Sequence, residues 1–232
     1  MLNHLDTEIL LTLNGLLRAY FWLPKLVSGL AVNPLARGIP VFVPLVVLWF
    51  SPNHSTHRGR MMLGLGATCF ATLVSVLLQK YLHVNIRPAF DPSLHLYQAI
   101  NLDLSVWNRR SSFPGDTTTL YFALSTMIFL EWRWGGVLAY IWSFITTGIC
   151  RVALGFHYPS DIAAGIILGV GTVYLLTSIP RLTNWVQYHL EQNETRTPWI
   201  HAVLFLLLAD AYSQFQGLQG LMHLLIRINR WG

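Results

Sequence analysis

The stretch Cys150-Arg151-Val152-Ala153-Leu154-Gly155-Phe156-His157-Tyr158-Pro159-Ser160-Asp161 joins two apolar runs, residues 136–149 and 162–179. An arginine, a histidine and an aspartate thus fall within eleven positions at what the flanking runs make the edge of a bilayer. Charge and imidazole are expensive there and mark function by default. A histidine that attacks must be neutral and keep one ring nitrogen free. A carboxylate accepting the other ring N–H sets that tautomer and steadies the cation that forms. Arg151, His157 and Asp161 therefore suggest chemistry on an anionic group. The plainer alternative is a snorkelling arginine followed by two helix-capping residues.

Composition sets the surroundings. Of 232 residues, 53% are hydrophobic and 11% charged, against about a quarter charged in an ordinary soluble domain. The reading is one membrane-embedded domain over residues 1–232, with no room for a large soluble partner domain. The net charge of +5 comes with two lysines and with basic residues scattered singly or in pairs. That suits membrane flanks and an anionic substrate, and argues against a nucleic-acid-binding face. Cys69 and Cys150 lie inside apolar runs and read as small core residues, not as a disulfide or a metal cluster. The first twenty residues carry Asp6 and Glu8 and no basic start, unlike a cleavable signal peptide.

Outward from the opening stretch, the chain reads as all-α: a polytopic bundle of five or six transmembrane helices plus interfacial helices. Leu5, Ile9, Leu13 and Leu16 form a helical stripe suited to a helix lying in the membrane interface. Residues 21–35 are broken by Pro24 and Pro34, and residues 39–50 are short for a span unless the helix begins before Gly38. Residues 61–82 are long enough to cross, and 117–130, 136–149 and 162–179 are apolar runs with small residues that permit close helix packing. Residues 181–197, with Trp185 and Tyr188, suit an interface; a further apolar run covers 200–209, and 217–227 looks amphipathic. Alternation puts residues 83–115 and 151–160 on one face. Residues 51–60, 131–135 and 181–197 fall on the other, with Arg58, Arg60, Arg133, Arg181 and Arg196. By the positive-inside rule the second face is cytoplasmic, so the charged stretch faces the periplasm or a lumen.

Two more polar clusters share that first face. One is Lys80 followed, after six residues, by Arg87-Pro88; the other is Arg110-Ser111-Ser112-Phe113-Pro114-Gly115-Asp116-Thr117. Pro114-Gly115-Asp116 precedes an apolar helix, whose first N–H groups and dipole make a seat for an anion. Arg87 and Arg151 can grip phosphate oxygens bidentately, with Lys80 as a point charge. Basic flanks and a helix cap would explain each cluster separately. Their joint occurrence on one face is harder to reach by chance.

Together the three clusters resemble the signature of the type 2 phosphatidic acid phosphatase family, which shares its site design with vanadium haloperoxidases. Lys80, Arg87 and Pro88 match its first motif in full. Arg151, His157 and Asp161 match its third, with Cys150 where serine is usual. The resemblance implies an integral membrane enzyme, in a bacterial inner membrane with its site facing the periplasm. Its substrate would be a lipid phosphate or a polyprenyl diphosphate. His157 would attack phosphorus and form a phosphohistidine while Asp161 holds its ring. Arg151, Lys80, Arg87, Arg110, Ser112, Gly115, Asp116 and Thr117 would bind the phosphoryl oxygens, with no metal and no cofactor.

The second motif departs from the pattern. Gly115 stands for the usual serine, Asp116 for glycine and Thr117 for the histidine that acts as general acid. A group of that kind is typically worth about 10²–10⁴-fold in rate. Three explanations follow: a leaving group good enough alone, as from a diphosphate; a stand-in such as His83 or His95; or loss of turnover. The first agrees with the Gly115-Asp116 pair, which resembles diphosphate-acting members. A phosphotransferase using a lipid A-like acceptor, and a protein that binds or transports lipid phosphates without turnover, are the alternatives.

Overall fold

The computed structural model describes residues 4–51, 57–82, 84–99 and 111–192, with Trp199, Val203 and Leu206. Among the described residues every regular element is helical. The chain divides into two compact units, Met1–Gln187 and Tyr188–Gly232, and the first carries every motif from Lys80 to Asp161. The runs at 200–209 and 217–227 fall almost wholly outside the described residues.

Helix α1 is His4–Ala19, α2 Leu23–Val32, α3 Pro34–Phe50 and α4 Arg58–Tyr81. Pro24 does not break this region but Pro34 marks a break in it, with α2 ending at Val32 and α3 starting at Pro34. Each proline sits in the first turn of a helix, where the missing N–H has no intrahelical partner to lose. Asn33 caps α3, its Oδ1 accepting from Leu35 N at 2.9 Å and from Ala36 N at 3.4 Å. Helix α3 thus begins before Gly38, which supplies the length that residues 39–50 lack. Helix α5 is Asp116–Glu131 and α6 is Arg133–Ser143, followed by a π turn at Phe144–Ile149 and the short α7, Cys150–Ala153. Helix α8, Pro159–Thr177, and α9, Pro180–Gln192, complete the described elements.

Three segments are long and apolar enough to cross a membrane: Arg58–Tyr81, Arg133–Ala153 and Pro159–Thr177. The pair α2 and α3, bent by 49°, makes a fourth if it counts as one broken span. The protein is a polytopic membrane helix bundle. Helix α5 is its axis, packed against α3, α4, α6 and α8. All residues from Thr117 to Ile128 are buried, so α5 presents no face to lipid. Three of its hydroxyls are answered within the helix: Thr119 Oγ1 donates to Gly115 O at 2.9 Å, Ser125 Oγ to Tyr121 O at 2.8 Å and Thr126 Oγ1 to Phe122 O at 2.7 Å. Helix α8 reaches it by a backbone approach at Gly165, where an added Cβ would stand 2.6 Å from Gly115 O.

The two ends of the bundle differ in chemistry. At one end, buried Glu131 closes α5 and accepts from His57 Nδ1 at 2.6 Å and Arg60 Nη1 at 3.5 Å, while Gln187 Oε1 accepts Gly59 N. The end of α5, the start of α4 and α9 therefore meet there, as the alternation of loops requires. The other end collects the three motifs.

Helix α1 inverts the usual amphipathic reading. Leu5, Ile9 and Leu16 are exposed, whereas Asp6, Leu10, Asn14 and Leu17 face the protein. The apolar stripe is free to meet lipid, and the polar residues hold the fold. Asn14 Nδ2 donates to Tyr97 O at 3.1 Å and Ala153 O at 2.9 Å, and its Oδ1 accepts Tyr97 N at 2.8 Å. Asp6 Oδ1 accepts Ser160 N at 2.9 Å, in the first turn of α8. We predict that Asn14→Leu lowers unfolding free energy by about 1–3 kcal/mol, the cost of leaving buried polar groups unmatched. Ile9→Ala, at an exposed position, changes it by less than about 0.5 kcal/mol. Thermal unfolding in detergent compares the two, and a larger loss for Ile9 would contradict this docking.

Candidate active site

The site is assembled from irregular backbone whose polar groups pair with one another, the condition under which such backbone is tolerated at membrane depth. After α4 ends at Tyr81, Asn85 N donates to Ser111 Oγ at 3.3 Å, and Asn85 O receives Ser112 N at 3.1 Å. Ser111 N donates to Gln79 O at 3.1 Å. The Phe113–Pro114 peptide is cis, and Pro114 O receives Gln79 Nε2 at 2.7 Å and Ser75 Oγ at 3.3 Å. Helix α4 thereby locates the approach to α5. Gly115 N then donates to Asp161 O at 3.0 Å, linking motif two to motif three.

Motifs one and three interlock in the same way. Arg87, before a proline and extended (ψ 136°), is 4% exposed, and its Nη1 donates to Phe156 O at 3.3 Å. Ala89 N donates to Gly155 O at 2.8 Å. Gly155 sits at φ +74°, a backbone that favours glycine, and Leu96 closes the space a Cβ would take. This left-handed turn is what carries the chain from Arg151 round to His157. Upstream, the π turn leaves Thr147 O to accept Thr118 Oγ1 of α5 at 3.0 Å.

His157 and Asp161 are wholly buried and Arg151 nearly so. The ring of His157 makes two decisive contacts. Its Nδ1 is 2.9 Å from Ser112 O, and a carbonyl can only accept, so Nδ1 carries the proton. Nε2 is then the lone-pair nitrogen, and Arg151 Nη2 stands 3.4 Å from it. Asp161 Oδ2 is 3.8 Å from Nδ1, a supporting charge rather than a hydrogen-bond partner. Its carboxylate instead accepts Tyr158 N at 2.8 Å and Asn85 Nδ2 at 3.4 Å. Burial, Arg87 and Arg151 together hold His157 well below the ordinary imidazole range, so the ring is neutral at neutral pH.

The helix-start seat is occupied from within the chain. Asp116 Oδ1 accepts Thr117 N at 2.8 Å and faces Thr117 Oγ1 at 3.4 Å, and its carboxylate lies in the electrostatic reach of Arg151, His157 and Arg87. Buried Arg151 Nε has no hydrogen-bond partner among the described residues. The guanidinium carbon is 5.2 Å from the Phe156 ring centroid. The pocket therefore holds cationic donors, a neutral imidazole lone pair and one carboxylate. That is a set suited to phosphoryl oxygens.

The PAP2 superfamily model matches residues 60–185, more than half of the chain and all three motifs. The chain belongs to the PAP2 superfamily. It is 33% identical over 144 residues to the bacitracin transport permease protein BcrC of Bacillus licheniformis, covering 60% of this chain and 64% of that one. It is 36% identical over 120 residues to a lipid A 1-phosphatase of Rhizobium etli, covering 50% of each. The alignments thus span less than two thirds of either relative's length. No solved structure matches the chain.

Within this PAP2 chain, the expected residues Arg87, Ser112, Gly115, Asp116, Thr117, Arg151, His157 and Asp161 come together. Lys80 is exposed at the end of α4, its ammonium 5.3 Å from the Tyr81 ring centroid. His95 is exposed at a left-handed turn, φ 47°, apart from the buried cluster. Arg110 and His83 lie outside the described residues. Sequence reasoning missed Ser75, Gln79 and Asn85, which hold the loops; polar side chains at the end of an apolar run were the available signal. At pH 6.5, where a free imidazole is half protonated, we predict that His157 stays neutral as the Nδ1–H tautomer. The ¹⁵N spectrum of histidine-labelled protein, less that of His157→Gln, reads this directly; a doubly protonated ring at that pH would contradict it.

Proposed function

We propose that this protein removes the terminal phosphoryl group from a membrane lipid phosphate, a polyprenyl diphosphate above all, through a phosphohistidine on His157. The observation that carries this reading is the imidazole itself. Ser112 O holds Nδ1–H, and Nε2 is left open beside Arg151. In the first step the Nε2 lone pair forms a bond to phosphorus, and the bond from phosphorus to the leaving oxygen breaks. The leaving group departs with that electron pair. Because Nδ1 keeps its proton, the phosphorylated ring is cationic, and Ser112 O and Asp161 steady it. Arg87 and Arg151 draw off charge from the phosphoryl oxygens, which is where electrostatic preorganisation contributes most. A water molecule then attacks phosphorus, the P–Nε2 bond breaks with its electron pair returning to Nε2, and both protons of the water leave with inorganic phosphate.

Two features favour a lipid phosphate and one, Thr117, favours a diphosphate. The site lies at one end of a membrane bundle, where a lipid enters between helices and presents its headgroup. Thr117 cannot titrate, so a leaving group of low basicity is needed. The relatives named above include a lipid A 1-phosphatase, a protein that acts on a lipid phosphate by its name. Arg58, Arg60, Arg133 and Arg181 fall at or beside the opposite end, which supports a bacterial inner-membrane setting with the site towards the periplasm.

Phosphate release from purified protein in nanodiscs tests the reading. His157→Ala should reduce release from a polyprenyl diphosphate to background, and acid-labile label should appear on the wild-type chain. Unchanged turnover in His157→Ala would end it. Transfer to an added lipid acceptor in place of phosphate release would assign a phosphotransferase. In a separate comparison, Thr117→His should raise monoester hydrolysis by about 10²-fold, the lower end of general-acid catalysis, while diphosphate hydrolysis changes far less. Equal effects on both substrates would show that the threonine does not set leaving-group preference.

A further inference from the structure

Arg37 is the fourth residue of α3, and it is 4% exposed. Among the described residues no carboxylate forms an ion pair with it, and its Nε has no hydrogen-bond partner. Its guanidinium carbon lies 5.9 Å from the Tyr121 ring centroid. Arg37 and Tyr121 both stand within the electrostatic reach of Arg151. A snorkelling arginine carries its head to water or headgroups and is exposed there. Arg37 is not. One ring face does not compensate a buried cation that also faces a second cation. Around the nucleophile buried Arg87 and Arg151 face the carboxylate of Asp116, and Arg37 adds a third buried cation within reach of Arg151.

Position indicates which anion fits. Tyr121 follows Asp116 by five residues on α5, placing it about 7.5 Å further from the site end of the bundle. The terminal phosphoryl group belongs at His157 and Arg151. In a lipid diphosphate the inner phosphoryl group lies on the side of the bilayer, the side on which Arg37 is held.

We propose that Arg37, steadied by the face of Tyr121, forms a second anion subsite for the inner, lipid-linked phosphoryl group of a diphosphate. This rests on the phosphatase reading above. When Nε2 of His157 bonds to the terminal phosphorus, the bridging P–O bond breaks. Its electron pair and charge pass to the inner phosphate, which Arg37 neutralises. No proton need be delivered to that oxygen, so the subsite supplies what Thr117 cannot.

The test compares a prenyl diphosphate with the monophosphate of the same chain. In Arg37→Gln, kcat/KM for the diphosphate should fall by about 10²–10³-fold, the scale for losing one donor to a developing charge. For the monophosphate it should stay near the wild-type value, and Arg37→Lys should recover part of the diphosphate rate. Equal losses on the two substrates, or none, overturn the subsite. Should Arg37→Gln not fold, inhibition of the wild-type protein decides: inorganic pyrophosphate should compete more tightly than inorganic phosphate, and equal inhibition overturns it. A wild-type protein that releases phosphate from neither lipid refutes the phosphatase reading instead. The subsite is then judged by calorimetry, with pyrophosphate binding more tightly than phosphate as the supporting result and equal binding as the opposing one.

Discussion

One hydrogen bond, from Nδ1 of His157 to the carbonyl of Ser112, carries more of this structure than its length suggests. It sets the tautomer, aims Nε2 at the cationic pocket, and joins the lead-in of α5 to the loop between α7 and α8. A carbonyl serves here where a carboxylate was expected. The choice has a consequence for charge: a neutral acceptor fixes the ring without favouring its protonation as strongly as an anion would. Asp161 at 3.8 Å is then free to order the first turn of α8 through Tyr158 N, while adding a distant stabilising charge.

Ser112 can do this because its own position is over-determined. Its N–H is bound by Asn85 O, its neighbour Ser111 by Gln79 O, and Pro114 O by Gln79 and Ser75. Each unsatisfied backbone group at membrane depth would cost several kcal/mol, so loops of this kind persist only as a mutually saturating set. The same logic explains α1. A helix with Asp6 and Asn14 on one face and leucines on the other is stable against lipid only if the polar face finds backbone partners. Tyr97, Ala153 and Ser160 supply them.

Spacing made part of the cluster legible in the sequence: Arg87-Pro88, and Arg151 through His157 to Asp161, are local patterns beside apolar runs that meet in the fold, whereas Lys80 of the same pattern stays exposed at the end of α4. The helical bundle was equally legible, because runs such as 61–82 and 162–179 are long and apolar. What stayed hidden depends on tertiary contact. Ser112 looked like a phosphate ligand, yet its backbone carbonyl is the part that meets His157, and a carbonyl has no sequence signature. Asn14 lies among the residues of the stripe at Leu5, Ile9, Leu13 and Leu16, and no spacing marks its contacts with Tyr97 and Ala153. Arg37 lay between two segments of uncertain depth, and only the continuous α3, begun at Pro34 under the Asn33 cap, shows that it points inward.

Asp116 bears on how such a site would discriminate. Its carboxylate accepts from Thr117 N and lies among Arg87, Arg151 and His157, so under the proposed function an incoming phosphoryl group would compete with an anion already in place. Displacing it weakens binding of any substrate whose charge only equals what is lost. A group with more charge, and with a second point of attachment at the proposed Arg37 subsite, would compensate more fully, because that buried cation has no carboxylate partner among the described residues. Where the usual titrating histidine is present, an acid lowers the barrier by completing the leaving group. Where threonine replaces it and a carboxylate lines the pocket, selectivity shifts to the charge that the leaving group can bear by itself. If the proposed subsite holds, Asp116, Thr117 and Arg37 would form one adaptation, each intelligible through the others.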